Sequence, residues 1–107
     1  MKDATPTLLI VSADAALIRQ TLRAVFHNGN GASVPVAANL RQARARLRKK
    51  QPAVILLDDA VLRNRPIGPA VREFAGVAPV VCLVSPGRHT IVPELEELVQ
   101  QGRAVVV

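Results

Sequence analysis

Two adjacent carboxylates end one of the most apolar runs of the sequence. The segment PAVILLDD, residues 52–59, finishes in Asp58 and Asp59. Carboxylates can act as nucleophiles and as ligands of hard cations such as Mg²⁺. A strand that only fills a core does not require such a pair. The alternative stays open that both acids merely end a strand, with Asp59 as a solvated neighbour or a helix cap.

The other residue types that could do chemistry form no recognisable motif. His27 and His89 have no Cys or His partner at metal-ligand spacing, so a structural or surface role is favoured over metal binding. Cys82 lies within an apolar run, which predicts a buried, reduced thiol. The glycines at 29 and 31 precede a strand-like run, whereas a dinucleotide fingerprint follows a strand and opens a helix.

Apolar strand-like runs alternate with helical patterns along the chain, which is typical of a parallel α/β sheet with helices on both faces. The second run contains Pro35, which places it at an edge of the sheet because proline cannot donate to a strand ladder. Asp14 is placed to cap the first helix. A loop is predicted from the acidic pair to Pro66. Strands are predicted at 7–11, 33–37, 54–57, 80–84 and 104–107, and helices at about 15–27, 40–50, 69–75 and 93–101.

Composition limits the classes of function. The chain has 107 residues, which fits one domain, and two Phe with no Trp or Tyr, which argues against a module that stacks bases on aromatic rings. A single cysteine excludes a disulfide framework within the chain. No apolar run approaches the ~18 residues of a membrane span, and the polar N-terminus does not look like a secretory signal. A cytoplasmic location is expected.

Positive charge is concentrated on the second predicted helix. The formal net charge is +6, and Arg41, Arg44 and Arg48 recur on one stripe of that helix. We interpret the stripe as a solvated face whose long side chains shield the sheet. The alternative is a surface for an acidic partner or for nucleic-acid phosphates.

The third predicted strand resembles a known family. Residues 52–58, PAVILLD, are similar to the Pro-Asp-Leu-Val-Leu-Leu-Asp pattern of receiver domains from two-component response regulators. The resemblance implies a flavodoxin-like (CheY-like) fold, with a parallel five-stranded sheet in the order 2-1-3-4-5. It also implies that Asp58 is the phosphoacceptor, that Mg²⁺ is the cofactor and that a histidine kinase or an output domain is the partner.

The chain departs from the receiver pattern at several positions. Receiver domains carry acids after the first strand, where this chain has Ser12 and Ala13, while Asp14 remains. The switch hydroxyl of the family falls on Val84, with Ser85 one place later. The family's lysine would lie at or beyond the last residue. With acids missing from this site, Asp58 is expected to be only a weak Mg²⁺ ligand. Mg²⁺ is expected as a cofactor only if the acidic site is functional.

These departures favour a degenerate receiver that acts as a regulatory protein-interaction module and not as an enzyme. The second hypothesis is a functional phosphoacceptor modified on Asp58, and the third is a basic nucleic-acid-binding module that uses the arginine stripe. The chain ends before a fifth helix, so one face of the sheet is expected to be partly uncovered. We expect residues 1–107 to be the N-terminal part of a longer signalling protein, with that face covered by a second copy or by a missing segment.

Overall fold

The computed structural model describes residues 7–27, 33–63, 65–84 and 93–107. These residues form five strands, four α-helices and one 3-10 helix. In chain order the elements are β1 (Leu8–Val11), α1 (Ala15–His27), β2 (Val36–Ala37), α2 (Leu40–Lys49), β3 (Val54–Asp58), the 3-10 helix (Asp59–Leu62), α3 (Ile67–Ala75), β4 (Val80–Leu83), α4 (Pro93–Gln100) and β5 (Ala104–Val106).

The strands form one parallel sheet in the order β2-β1-β3-β4-β5. The predicted order and the edge position of β2 are therefore confirmed. Pro35 directly precedes this edge strand and contributes its carbonyl, which accepts from the Ile10 N–H at 3.0 Å. β1 and β3 are neighbours in register, with Val11 opposite Leu57, so the chain segments that leave these two strands emerge side by side.

The order of the strands assigns the helices to two faces. The connection from β1 to β2 runs across the sheet in one direction, and the connections to β3, β4 and β5 run in the other. Because parallel crossovers are right-handed, α1 lies on one face and α2, α3 and α4 lie on the opposite face. The buried core is on the latter face. Its members are Leu9, Val11, Ala37, Leu40, Ala43, Ile55, Leu57, Leu62, Val71, Phe74, Ala75, Ala78, Val80, Cys82, Leu95, Leu98 and Ala104.

The other side of the sheet, which we call the α1 face, carries Ile10, Leu56, Val81, Leu83 and Val105. Ile10 is fully buried, whereas Leu56, Val81 and Leu83 are only partly buried. Val105 on the edge strand β5 is 55% exposed. This gradient agrees with the expectation that the α1 face is incompletely covered.

The helix ends follow from local sequence. Asn39 caps α2, because its Oδ1 accepts from the Gln42 N–H at 2.9 Å, and Gln42 Oε1 accepts from the Ala38 N–H at 2.8 Å. Gly102 follows α4 with φ of 74°, a left-handed conformation that glycine adopts without steric cost. The predicted cap at Gly102 is thus confirmed.

The loop predicted between the acidic pair and Pro66 is wrong in its first half. Residues Asp59–Leu62 form a 3-10 helix, and α3 begins at Ile67, two residues before the predicted start. The Asp58 carboxylate caps this short helix, and Leu62 anchors its end in the core at 1% exposure. Such a single turn is too short to show a helical period in the sequence. Within the described ranges, no helix has the length and apolar character needed to cross a bilayer.

Candidate functional site

Ser12 and Asp58 meet at the carboxyl edge of the sheet. Ser12 directly follows β1, and Asp58 is the last residue of the neighbouring strand β3. The Ser12 hydroxyl donates to Asp58 Oδ2 at 2.9 Å. Ser12 is fully buried and Asp58 is 8% exposed. In open parallel sheets this edge is where ligands bind. The serine hydroxyl therefore lies directly beside the carboxylate, within this edge of the sheet.

The second oxygen of Asp58 is also engaged. Asp58 Oδ1 accepts from the Ala60 N–H at 3.1 Å, which caps the 3-10 helix. Both carboxylate oxygens thus hold a hydrogen bond within the protein. A nucleophilic attack or a metal contact through either oxygen has to replace or share one of these bonds.

Asp14 has the capping role that the sequence predicted. Its Oδ1 accepts from the Ala16 N–H at 2.9 Å and from the Leu17 N–H at 3.3 Å. Its own N–H donates to the Ser12 hydroxyl at 3.0 Å. The Ser12 hydroxyl thus links the start of α1 to Asp58, because it accepts from the Asp14 N–H and donates to the Asp58 carboxylate.

Asp59 is not the solvated neighbour that the sequence suggested. It is 1% exposed and begins the 3-10 helix, while Asp58 provides the cap. Cys82, on the next strand, is fully buried, as predicted. Burial raises the pKa of the Cys82 thiol to about 12, and the negative charges of Asp59 and Asp58 add to the rise.

A cleft of about 370 Å³ opens above this site. The residues that line it include Asp14, Asp58, Asn39, Val61 and Arg63. Neither Asn39 nor Arg63 was predicted from the sequence as a site residue. Arg63 follows the 3-10 helix with φ of 56°, a left-handed conformation that is uncommon for residues with a side chain. Arg63 was missed because the segment that contains it was interpreted as a loop.

The donor set fits Mg²⁺ poorly. Two carboxylates line the cleft, and each already accepts hydrogen bonds from the protein. Among the described residues, no group of three or more His, Cys, Asp or Glu side chains is placed to hold a metal ion. Mg²⁺ prefers six oxygen ligands in strict octahedral geometry, so this set would leave most of them to water.

Three predicted features lie outside the described residues. They are the switch hydroxyl of Ser85, the side chain of His27 and the whole of His89. No role is assigned to them here.

The basic stripe of α2 is split between solvent and an ion pair. Arg41 and Arg48 are exposed, whereas Arg44 donates through Nε and Nη2 to the two carboxylate oxygens of Glu73, at 2.7 and 3.0 Å. The hydrogen bond to Arg44 lowers the pKa of Glu73, and the arginine's charge lowers it further. This surface arrangement agrees with the solvated-face interpretation, and binding to nucleic acid stays a hypothesis.

No protein-family model matches the chain, and no curated protein matches it. Solved structures do match. A two-component response regulator from Clostridium difficile aligns with 96% of this chain and 82% of its own, at a TM-score of 0.68 and 16% identity. The chain has the receiver-domain fold.

Two further structures with the receiver-domain fold are similar to this chain. The N-terminal domain of the nisin resistance regulator NsrR aligns at a TM-score of 0.62 and 17% identity, over 95% of this chain and 83% of its own. A signal receiver domain from Colwellia psychrerythraea 34H aligns at a TM-score of 0.62 and 19% identity, over 94% and 83%. These structural alignments establish the receiver-domain fold alone, because the sequence identities are low.

Proposed function

We propose that this chain is a degenerate receiver-type domain that acts as a regulatory protein-interaction module in two-component signalling. The hydrogen bond from Ser12 to Asp58 carries the proposal. In receiver chemistry a cation beside the phosphoacceptor offsets the charge of the incoming phosphoryl group. Here a neutral hydroxyl stands beside Asp58 and a backbone N–H holds its other oxygen. These two hydrogen bonds favour a structural role for the Asp58 carboxylate, as the cap of the 3-10 helix, over a role as a nucleophile assisted by a metal ion.

The proposed partners are proteins of the same signalling class. A structure with this fold is the receiver domain of the yeast regulator Ssk1, solved together with the histidine phosphotransfer protein Ypd1. It aligns with 96% of this chain at a TM-score of 0.56 and 16% identity. This neighbour supports the proposal that the chain functions through a protein-binding surface. The partner would be a kinase, a phosphotransfer protein or an output domain. In this proposal the chain has no enzymatic activity of its own.

The first prediction concerns phosphorylation of the unmodified chain. Incubated with acetyl phosphate and Mg²⁺, the protein is expected to form little phospho-adduct by intact mass, because the charge on the phosphoryl group is poorly neutralised. Asp58→Asn is the matched control for any adduct that forms. Rapid, stoichiometric modification that disappears in Asp58→Asn would instead establish the second hypothesis, a working phosphoacceptor.

We also propose that the α1 face mediates self-association. Val105 is largely exposed on β5, and its register partner Val81 is only partly buried. Apolar surface left in water costs about 25 cal/mol for each Å², and contiguous apolar patches often mark interfaces. A two-fold contact uses one patch on both copies, so a uniformly apolar strand face suits it.

The second prediction tests that contact by sedimentation velocity. The chain is expected to show a concentration-dependent dimer at micromolar levels, and Val105→Asp is expected to shift it to monomer because it buries an unpaired charge. Val106→Asp is a close control, since Val106 is 43% exposed on the same strand and its side chain points to the opposite face. A strict monomer at high micromolar concentration that binds no hydrophobic dye would contradict the proposal.

A further inference from the structure

Four arginines from two separate segments line one groove beside the acidic cleft. Arg41 and Arg44 come from the first turns of α2, and Arg63 and Arg65 follow the 3-10 helix. The groove has a volume of about 490 Å³. Leu40, Val61 and Leu62 supply its apolar lining. A basic stripe on one helix is often only a solvated face, but here a second segment contributes half of the cations.

The charges in this groove are incompletely compensated. Glu73 pairs with Arg44 in a bidentate geometry, but none of the described residues that line the groove is acidic. Arg41 and Arg65 are exposed, and neither forms an ion pair within the described part of the chain. The groove lies at the start of α2, where the helix dipole adds further positive potential. An anion bound here would relieve the mutual repulsion of these groups.

Arg63 occupies a backbone conformation that glycine would adopt at lower cost. Its φ and ψ are 56° and −110°, and residues in such sparsely populated regions tend to occur at functional sites. Its side chain lines both the arginine groove and the cleft above Asp58. Arg63 therefore has a strained backbone conformation and contributes a cation to both cavities.

We propose that the groove binds a small organic anion with two linked phosphate groups, of the nucleoside diphosphate class. Guanidinium groups bind phosphate oxygens in bidentate fashion and can also stack on a planar base. The open groove has room for a ligand of this size, and its apolar lining suits the non-phosphate part of such a ligand. This binding does not depend on phosphorylation of Asp58.

The test is calorimetric titration of the intact chain with ADP, with inorganic pyrophosphate and inorganic phosphate as reduced probes. ADP is expected to bind more tightly than pyrophosphate, and pyrophosphate more tightly than phosphate. The double variant Arg41→Ala/Arg65→Ala is expected to weaken ADP binding at least about tenfold, since one charged hydrogen bond contributes that much. Asp58→Asn is expected to bind ADP as the unmodified chain does.

Two further variants make the test specific. The double variant Arg46→Ala/Arg48→Ala removes the same charge from α2 outside the groove and should leave ADP affinity within about twofold, apart from weak screening effects. Arg63→Gly should weaken ADP binding while melting at or above the temperature of the unmodified chain, because glycine tolerates the left-handed φ.

Several results would overturn the proposal. One is the absence of ADP binding at millimolar concentration. Another is an equal loss of affinity in Arg46→Ala/Arg48→Ala, which would mean that the whole basic surface attracts anions non-specifically. A third is binding of a short DNA duplex that requires Arg41 and Arg65 and that ADP does not displace, which would assign the groove to nucleic acid.

Discussion

The double variant Ser12→Asp/Ala13→Asp is expected to gain Mg²⁺-dependent phosphorylation on Asp58. The substitution at Ser12 places a carboxylate within contact distance of Asp58 in place of the hydroxyl that now donates to it at 2.9 Å. Two adjacent carboxylates repel each other unless a cation lies between them, so the variant should bind Mg²⁺ more tightly than the unmodified chain, which is expected to bind it weakly. Intact mass after incubation with acetyl phosphate should change from little adduct to a majority of singly phosphorylated protein.

Thermal unfolding supplies a second measure of the same change. Without metal, the variant should melt well below the unmodified chain, because a buried pair of like charges is costly. Mg²⁺ at about 100 times its dissociation constant should restore about 2.7 kcal/mol of stability by mass action. Ser12→Asn/Ala13→Asn is the neutral control and should show neither response. A variant that gains Mg²⁺ stabilisation but forms no adduct would contradict the proposal that a poor Mg²⁺ site limits phosphorylation of Asp58.

Phe74→Ala is expected to lower the free energy of unfolding by about 3–5 kcal/mol. Among the residues that the structure describes, Phe74 is the largest fully buried side chain, and it belongs to the core between α3 and the sheet. Truncation removes its apolar contacts and leaves a cavity that the packed strands cannot close. Domains of this size are stable by only about 5–15 kcal/mol, so this substitution would remove a large part of the free energy of unfolding.

Urea denaturation monitored by far-ultraviolet circular dichroism measures this loss. Val99→Ala, on the exposed side of α4, is the control and should change stability by less than about 0.5 kcal/mol. A loss below about 1 kcal/mol in Phe74→Ala would mean that α3 is not packed on the sheet as described.

Much of the fold could be predicted because its strands are buried and its helices carry one apolar stripe. Pro35 predicted that β2 lies at an edge, because proline cannot donate to a strand ladder. Asp14 and Gly102 predicted helix ends, because capping depends on residues that are neighbours in sequence. The 3-10 helix was missed because its four residues are held by Asp58 and by burial of Leu62, and neither contact leaves a periodic signal.

The candidate site was harder to predict than the fold. Asp58 and Asp14 were singled out, but the hydrogen bond from Ser12 depends on β1 and β3 being neighbours although they are 46 residues apart at that contact. Arg63 and Arg65 were missed for a similar reason. They have no helical spacing to each other, and they meet Arg41 and Arg44 only through the packing of two segments that are distant in sequence.

The buried thiol beneath the acidic pair has a consequence for oxidative signals. Redox-sensing cysteines need an accessible thiolate, since that form is the one that oxidants attack. Cys82 is the single cysteine of the chain, it is fully buried, and its pKa of about 12 keeps nearly all of it protonated near neutral pH. Peroxide and disulfide exchange therefore have no accessible cysteine thiolate to attack in the folded domain.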